Sequence, residues 1–130
     1  MSLLIGIHIN EALAASEAIV SKVGDRVFPI IAPSGVEDYP YIVYQSTMGE
    51  PELTKDGVLH DNVATTITVV SKSYGEAIEI ANEVRNELEF VEVKHDRFAV
   101  TWCSYAGGSE MWLDDIAAYA VEMSFNFETK

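Results

Sequence analysis

The sequence has few positive charges and a single cysteine. Eight Lys and Arg stand against 21 Asp and Glu, which gives a net charge of −13, and the acidic excess is spread along the whole chain. Because nucleic-acid binding needs clustered Lys and Arg that displace counterions from phosphates, specific DNA binding is not expected. Cys103 alone can form neither an internal disulfide nor a cysteine-based zinc site, which fits a reducing cytoplasm.

Long hydrophobic runs are absent too. The apolar residues 3–7 have no basic flank and are interrupted by His8 and Asn10, which argues against a signal peptide. No run approaches the roughly 18 apolar residues of a membrane helix, so no membrane contact is expected. At 130 residues, 48% of them hydrophobic, the chain is expected to form one domain, residues 1–130, with one core.

Apolar periodicity predicts two helices. Apolar residues at three- and four-residue spacing predict the first over residues 5–23, and Gly24 supplies a C-terminal stop. The sequence Ser73-Tyr74-Gly75-Glu76 matches a capping box, in which serine and glutamate satisfy helix amides reciprocally, and predicts the second over residues 74–89. Its buried face is expected to consist of Ala77, Ile80, Ala81, Val84 and Leu88.

Strand patterns occupy much of the remaining chain. The prolines at 29, 33 and 40 leave room only for a short edge strand and a surface loop before residue 41. Strands are predicted at residues 41–48, 63–72, 97–105 and 117–128. Gly107-Gly108 is expected to end the third of these, and strict alternation in the last indicates one buried face with a core of aromatic residues.

Between two of these strands, residues 48–60 predict a projecting β-hairpin arm. The segment is polar, and Asp56-Gly57 favours a tight reversal. Contact with a partner and a bland mobile loop remain alternatives, since a small domain gains little from an extended polar arm that touches nothing. The predicted fold class is α+β: an antiparallel or mixed β-sheet of four to five strands, with two helices packed on one face and this arm.

No catalytic, cofactor-binding or metal-binding residues are expected. His60 and His95 are each followed by Asp, but adjacent residues of a strand point to opposite faces, so both dipeptides are predicted to lie in surface loops. No serine stands in a nucleophile elbow, and Cys103 is predicted to be an inert packed thiol. The spacing of Glu110, Asp114 and Asp115 matches no calcium loop.

One stretch carries a family resemblance. It contains Val23-Gly24-Asp25-Arg26, Phe28-Pro29, Ala32-Pro33 and Pro40-Tyr41-Ile42-Val43-Tyr44-Gln45. These motifs resemble the signature of small tail-completion proteins of long-tailed phages and prophages. The similarity continues through the Ala/Glu-rich helix after Ser73-Tyr74 and the closing alternation from Tyr119 to Phe127.

The resemblance implies a structural virion-assembly protein, a tail terminator. Such a protein assembles as a ring, typically a hexamer, on the finished tail tube and presents a surface to the head connector, either alone or only on its template. It would act in the host bacterial cytoplasm during assembly and then in the virion tail or neck, where DNA passes without specific binding. A connector or neck protein, a tail-tube component and a small-ligand-binding domain remain alternatives. The expected interface residues are Arg26, Phe28, Glu50, Glu52, Leu53, Lys55, Asp56 and His60.

Overall fold

The structure is a computed structural model and describes residues 2–33, 38–49, 52–54 and 57–130, with the backbone alone for residues 2, 52–54 and 57–60. A 3-10 turn (Ser2–Leu4) precedes the helices α1 (Ile5–Ala14), α2 (Glu17–Val23) and α3 (Tyr74–Leu88). The strands are β1 (Val27–Pro29), β2 (Tyr41–Met48), β3 (Glu52–Thr54), β4 (Gly57–Ser71), β5 (Val93–Lys94), β6 (Ala99–Leu113) and β7 (Ala118–Thr129).

The strands form one mixed sheet. Six follow one another in the order β1-β2-β4-β7-β6-β5, and β3 joins β4 beside this path. β1 runs parallel to β2, and the other pairs are antiparallel. The α+β class is therefore as predicted, but the expected four to five strands were too few. The short strands β3 and β5 were not counted, because two or three residues carry no periodic pattern.

The first predicted helix is two helices. The chain leaves helical geometry at Ser16, which is buried and whose Oγ accepts a hydrogen bond from the Ile19 amide at 3.4 Å. A serine hydroxyl in this position caps a new helix and competes with continuation of the old one. The prediction of one helix over residues 5–23 was wrong, whereas the stop at Gly24 is confirmed by its φ of 59° and its bond to the Val20 carbonyl.

The helices cover one face of the sheet and enclose the main core. Their buried residues pack with Ile42, Ile67, Phe125 and Phe127 of the central strands. The buried face of α3 is the predicted set, Ala77, Ile80, Ala81, Val84 and Leu88. Because no polar residue of that helix is fully buried, burial of this one apolar face fixes how α3 sits on the sheet.

The cap of α3 differs from the predicted capping box in one bond. The Ser73 Oγ accepts from the Glu76 amide at 3.4 Å, as expected. The Glu76 carboxylate instead accepts from the Ser71 hydroxyl at 2.9 Å, and the Ser73 amide donates to that same hydroxyl at 3.1 Å. Ser71 is fully buried at the end of β4, so it ties the start of α3 to the sheet.

Strand β6 does not end at its glycine pair. It continues to Leu113, and its register with β7 shifts between Tyr105 and Gly107. A Cβ on Gly108 would lie 2.5 Å from the Glu122 carbonyl oxygen. Glycine here allows close approach of two strands, a role that glycine also plays inside strands elsewhere. The predicted end at Gly107-Gly108 was wrong for this reason.

The hairpin extends beyond the rest of the sheet. β3 pairs antiparallel with the start of β4, from Glu52 opposite His60 to Thr54 opposite Gly57. The pairs of β4 with β7 begin only at Asp61 and those with β2 at Val63. Within the described part of the chain, residues 57–60 of β4 thus pair with β3 alone. Glu50, Lys55 and Asp56 lie outside the described residues.

Candidate assembly surface

The sheet face turned away from the helices, called the open face below, carries a second apolar cluster. Tyr41, Val70, Ala118 and Ala120 are buried there, and Phe28, Ala32, Tyr39, Val43, Met111, Leu113 and Ile116 pack against them. The alternation predicted for the last strand is correct from Val121 to Phe127. It was wrong at the start of β7, where Tyr119 is 37% exposed and its alanine neighbours are buried instead.

A cavity of about 430 Å³ lies between this cluster and the loop that follows β1. Ile30 and Ile31 form part of its wall, and Tyr41, Val43 and Leu113 line the sheet side. Burial, followed by the nearby Tyr39 and Asp115, raises the pKa of Tyr41. The lining is mainly apolar, so the cavity suits a hydrophobic side chain better than a charged one.

Arg26 and Phe28, two of the predicted interface residues, connect β1 to its surroundings. The Arg26 guanidinium donates to the Pro40 carbonyl at 3.0 Å through Nε and to the Lys22 carbonyl at 3.1 Å through Nη2. It thereby joins the end of α2, β1 and the start of β2. Phe28 is half-buried in the second cluster, 6.0 Å from the ring of Tyr41. Their part in an interface remains a prediction.

The edge of the sheet at β1 is strongly apolar. Leu3 is 80% exposed, Ile30 67% and Ile31 75%, and we call these three residues the β1 rim. Ile30 has a φ of 69°, a conformation that is unfavourable for a β-branched residue. Ile30 lines the cavity on the open face and also a second one on the helix side, so it stands between the two faces. The sequence analysis named Arg26 and Phe28 beside this rim but not Ile30 and Ile31 themselves.

The opposite edge of the sheet is a strand with unpaired backbone. β5 pairs only with Ala99 and Val100 of β6. Further along, the Phe90 amide donates to the Cys103 carbonyl at 2.9 Å and the Tyr105 amide donates to the Glu89 carboxylate at 3.2 Å. Over residues 107–113, which we call the β6 rim, no described strand pairs with the outer side of β6.

Aromatic side chains border the β6 rim. Trp112, which is 51% exposed, lies 5.0 Å from the ring of Tyr119, and Tyr119 lies 5.6 Å from the ring of Tyr74. The Tyr74 hydroxyl donates to Glu110 at 2.8 Å, and this bond raises the pKa of Tyr74. Exposed aromatic groups of this kind are enriched where proteins meet partners.

A buried histidine pair lies between α1 and the β5–β6 turn. Nδ1 of His8 is 3.0 Å from Nε2 of His95, and Nδ1 of His95 is 3.1 Å from a Glu11 carboxylate oxygen. His95 lies in a turn, as predicted, but its ring is only partly exposed and stacks on Phe98 at 4.6 Å. Burial first, and then the charge of His95, lowers the pKa of His8 to about 4. The two histidines are too far apart in sequence to have been paired from a local pattern.

The other candidate groups show no reactive arrangement. Cys103 is fully buried, and burial raises the pKa of its thiol to about 12, which confirms the packed thiol. Among the residues that the structure describes, no three His, Cys, Asp or Glu side chains are grouped to hold a metal ion. In the same residues no helix has the length and apolar character required to cross a membrane.

The remaining predicted interface residues belong to the hairpin. Glu52 and Leu53 lie in β3 and His60 in the first part of β4, as far as the backbone is described. Arg26 and Phe28 lie at β1, a different element of the sheet. The structure therefore describes two separate places, the hairpin and β1, and adds a third at the β6 rim.

Comparisons with known proteins find similarity to a protein family and to solved structures. The family model described as tail completion protein gp17 matches residues 8–127. A chain from the solved structure "Virion of native gene transfer agent (GTA) particle" has a similar fold, with a TM-score of 0.74, 15% sequence identity, and coverage of 93% of this chain and 90% of that chain. No curated protein sequence matches.

Proposed function

Because this chain belongs to the family of tail completion protein gp17, we propose that it closes the end of a phage tail tube as a ring and joins the tail to the head connector. Membership in the family makes it a structural protein of the phage tail that acts in virion assembly. Beyond this, we propose a ring, for which six subunits are expected, and two partners, the tail tube and the head connector.

The observation that supports a ring is the difference between the two edges of the sheet. The β1 rim exposes aliphatic side chains, and the β6 rim exposes unpaired backbone beside aromatic side chains. Large apolar groups left in water favour association. When two different surfaces of one chain meet head to tail, the contact generates a ring if the rotation closes. The similar chain from a gene transfer agent particle comes from a virion, which supports a place in the tail or neck.

The hairpin is proposed to contact a neighbouring subunit or the tail tube. Its strands are β3 and residues 57–60 of β4, which pair with each other beyond the end of the sheet. A two-stranded hairpin is only marginally stable by itself in water, so it gains from a partner. Glu52, Leu53 and His60 are the candidate contacts within its described backbone.

The net charge of −13 fits a ring through which DNA passes without binding. Acidic groups repel phosphates and lower the local concentration of nucleic acid. Glu128 is half-buried in β7, opposite Asn62 of β4, and is a candidate for such a group. Reversal of such lumen-facing acids to Lys should slow DNA passage, and unchanged ejection kinetics would contradict this part of the proposal.

The test is assembly on a tail tube. Purified protein is added to tubes of the cognate tail-tube protein, and electron microscopy looks for rings at tube ends, with light scattering over a concentration series for the protein alone. We expect a ring at one end of each tube. A second sample uses a variant in which Asn-Gly replaces residues 50–61, between Gly49 and Asn62, which lie opposite each other just beyond the Met48–Val63 pair of β2 and β4.

The shortened variant tests whether the hairpin is needed for assembly and not for folding. Gly49 already bonds the Asn62 carbonyl at 2.9 Å, so the new turn closes an existing strand pair. We expect this variant to keep the circular dichroism spectrum of the wild type and to lose its rings. Normal rings from the variant would refute the role of the hairpin. Protein that binds along tubes, or only to connectors, would favour a tube component or a neck protein instead.

A further inference from the structure

We propose that the β1 rim of one protomer packs into the β6 rim of a second copy of this chain. The inference rests on the proposed function, because it names the contact between neighbouring subunits of the ring.

The β1 rim has the properties of an anchor that awaits a partner. Ile31 is 75% exposed and Ile30 67%, next to Leu3 at 80%. Ile30 also keeps a φ of 69°, although its amide is held by a 2.7 Å bond to the Tyr44 carbonyl. Strained backbone of this kind persists where the surrounding structure enforces it, and it concentrates at functional positions. In this chain the strain presents two aliphatic side chains to the outside.

The β6 rim has an open backbone and a groove beside it. Its sequence, Gly-Gly-Ser-Glu-Met-Trp-Leu, contains neither Lys nor Pro, the residues with which edge strands are usually protected from other strands. A Cβ on Gly107 would meet no atom within 4 Å, so the backbone there is open to the outside. The groove has a volume of about 350 Å³ and is lined by Tyr105, Gly108, Ser109, Glu110, Val121 and Glu122.

Sheet register places the two rims at the same height. One row of paired residues crosses the whole sheet, from Pro29 through Tyr44, Ile67 and Met123 to Gly108. The outer strands β1 and β6 run in opposite directions, since β1 is parallel to β2 and three antiparallel pairs separate β2 from β6. A head-to-tail repeat of the chain therefore brings the β1 rim beside Gly107-Gly108 of the next copy in antiparallel orientation.

Side chains, rather than a long backbone ladder, dominate this contact. Pro29 has no amide to donate, and the Ile31 amide already bonds the Pro29 carbonyl at 2.7 Å. Two different rims meet, so each protomer uses one of each.

Cysteine cross-linking tests which surfaces meet. Ile31→Cys and Ser109→Cys are made separately, each in the full chain, and are mixed before a short bismaleimide cross-linker is added. Native Cys103 is fully buried and serves as an unreactive background. We expect covalent dimers in the mixture and little from either variant alone. Dimers of a single variant, formed by contact of like rims, would overturn the proposal.

A substitution pair measures the strength of the contact. Ile31→Ser removes the anchor, and Val20→Ser is the matched control, since Val20 is a 39% exposed aliphatic residue on α2. We expect Ile31→Ser to weaken self-association about tenfold or more, as for a buried interface anchor, and the control to change it little. Both variants should keep the circular dichroism spectrum of the wild type, which shows that the fold is intact. Equal association of the two variants would overturn the inference.

The outcomes distinguish this contact from the proposed function. Rings on tube ends without the 31–109 cross-link would overturn the contact and leave the tail-end function in place. A cross-linked oligomer that never binds tail tubes would support the contact and refute that function. A wild-type protein that stays monomeric throughout the concentration series would overturn the inference, because a contact between copies needs no third protein.

Discussion

The buried His8 is expected to make the stability of this protein strongly dependent on pH. If Nδ1–H of His95 donates to Glu11, then Nε2 of neutral His95 accepts from Nδ1–H of His8. The other nitrogen of His8, Nε2, is buried without a hydrogen-bond partner. Protonation would place an N–H there with no acceptor, which is why the folded state holds His8 neutral.

The direction and the size of this pH effect on stability follow from the pKa of His8 in the unfolded and in the folded protein. The pKa of His8 falls from 6.5 to about 4 on folding, so between these values the unfolded chain binds more protons. The stabilisation is fully present above pH 6.5, is lost as the pH falls toward 4, and changes little below that. At about 1.4 kcal/mol for each pKa unit, the total loss is about 3 kcal/mol, of which about 2 kcal/mol is lost by about pH 5.

Urea unfolding at pH 5, 6, 7 and 8 measures this loss. His8→Asn is the comparison, because an asparagine can still bond His95 but does not titrate. We expect the free energy of unfolding of the wild type to fall by about 2 kcal/mol more than that of the variant between about pH 8 and pH 5. Protein concentration is kept constant, since self-association also stabilises the fold. Parallel pH curves for the two proteins, or a His8 titration near 6.5 by NMR, would refute the reasoning.

Three further outcomes are expected. Gly108→Ala should lower the free energy of unfolding by about 1–3 kcal/mol in chemical denaturation, because its Cβ would clash with the Glu122 carbonyl oxygen; an unchanged midpoint would contradict that close approach. Arg26→Ala should cost about 2 kcal/mol in the same assay through the two carbonyls that it leaves unpaired, and Arg26→Lys less; equal losses would argue against the guanidinium bonds. Cys103 should react with a thiol reagent only as fast as the protein unfolds, and rapid labelling of the native protein would contradict its burial.

The sequence pattern correctly predicted those elements whose structure is decided by residues close together in the sequence. The buried face of α3 was correct residue by residue, because its whole apolar stripe lies within one helix. Strand β2 was correct in both bounds, since Pro40 precedes a run of strand-forming residues. The stop at Gly24 needed only the freedom of glycine at positive φ. In each case neighbouring residues decide the structure.

The wrong or missing predictions concern features that depend on contacts between residues far apart in the sequence. The length of β6 depends on the approach of β7 to Gly108, which no local rule contains. The start of β7 is buried on the open face because the chain folds back over it through Phe28 and Ala32. His8 and His95 meet only after the sheet has formed, 87 residues apart. A short edge strand before residue 41 was predicted, whereas the open edge at β6 was not, since that edge is known only once the strand order is known.

The hydrogen bonds of the Arg26 guanidinium affect how tightly the β1 rim can bind a partner. Two hydrogen bonds fix Arg26, directly before β1, to the last turn of α2 and to Pro40, directly before β2. The amides of Ile30 and Ile31 are bonded as well, so the backbone of this part of the rim is held before any partner arrives. Association usually costs about 0.5–1.5 kcal/mol for each side chain that becomes immobilised, in addition to the ordering of loops. Because the backbone of Ile30 and Ile31 is already ordered, less free energy is lost to ordering on association. A larger part of the free energy gained by burying the two side chains therefore contributes to affinity.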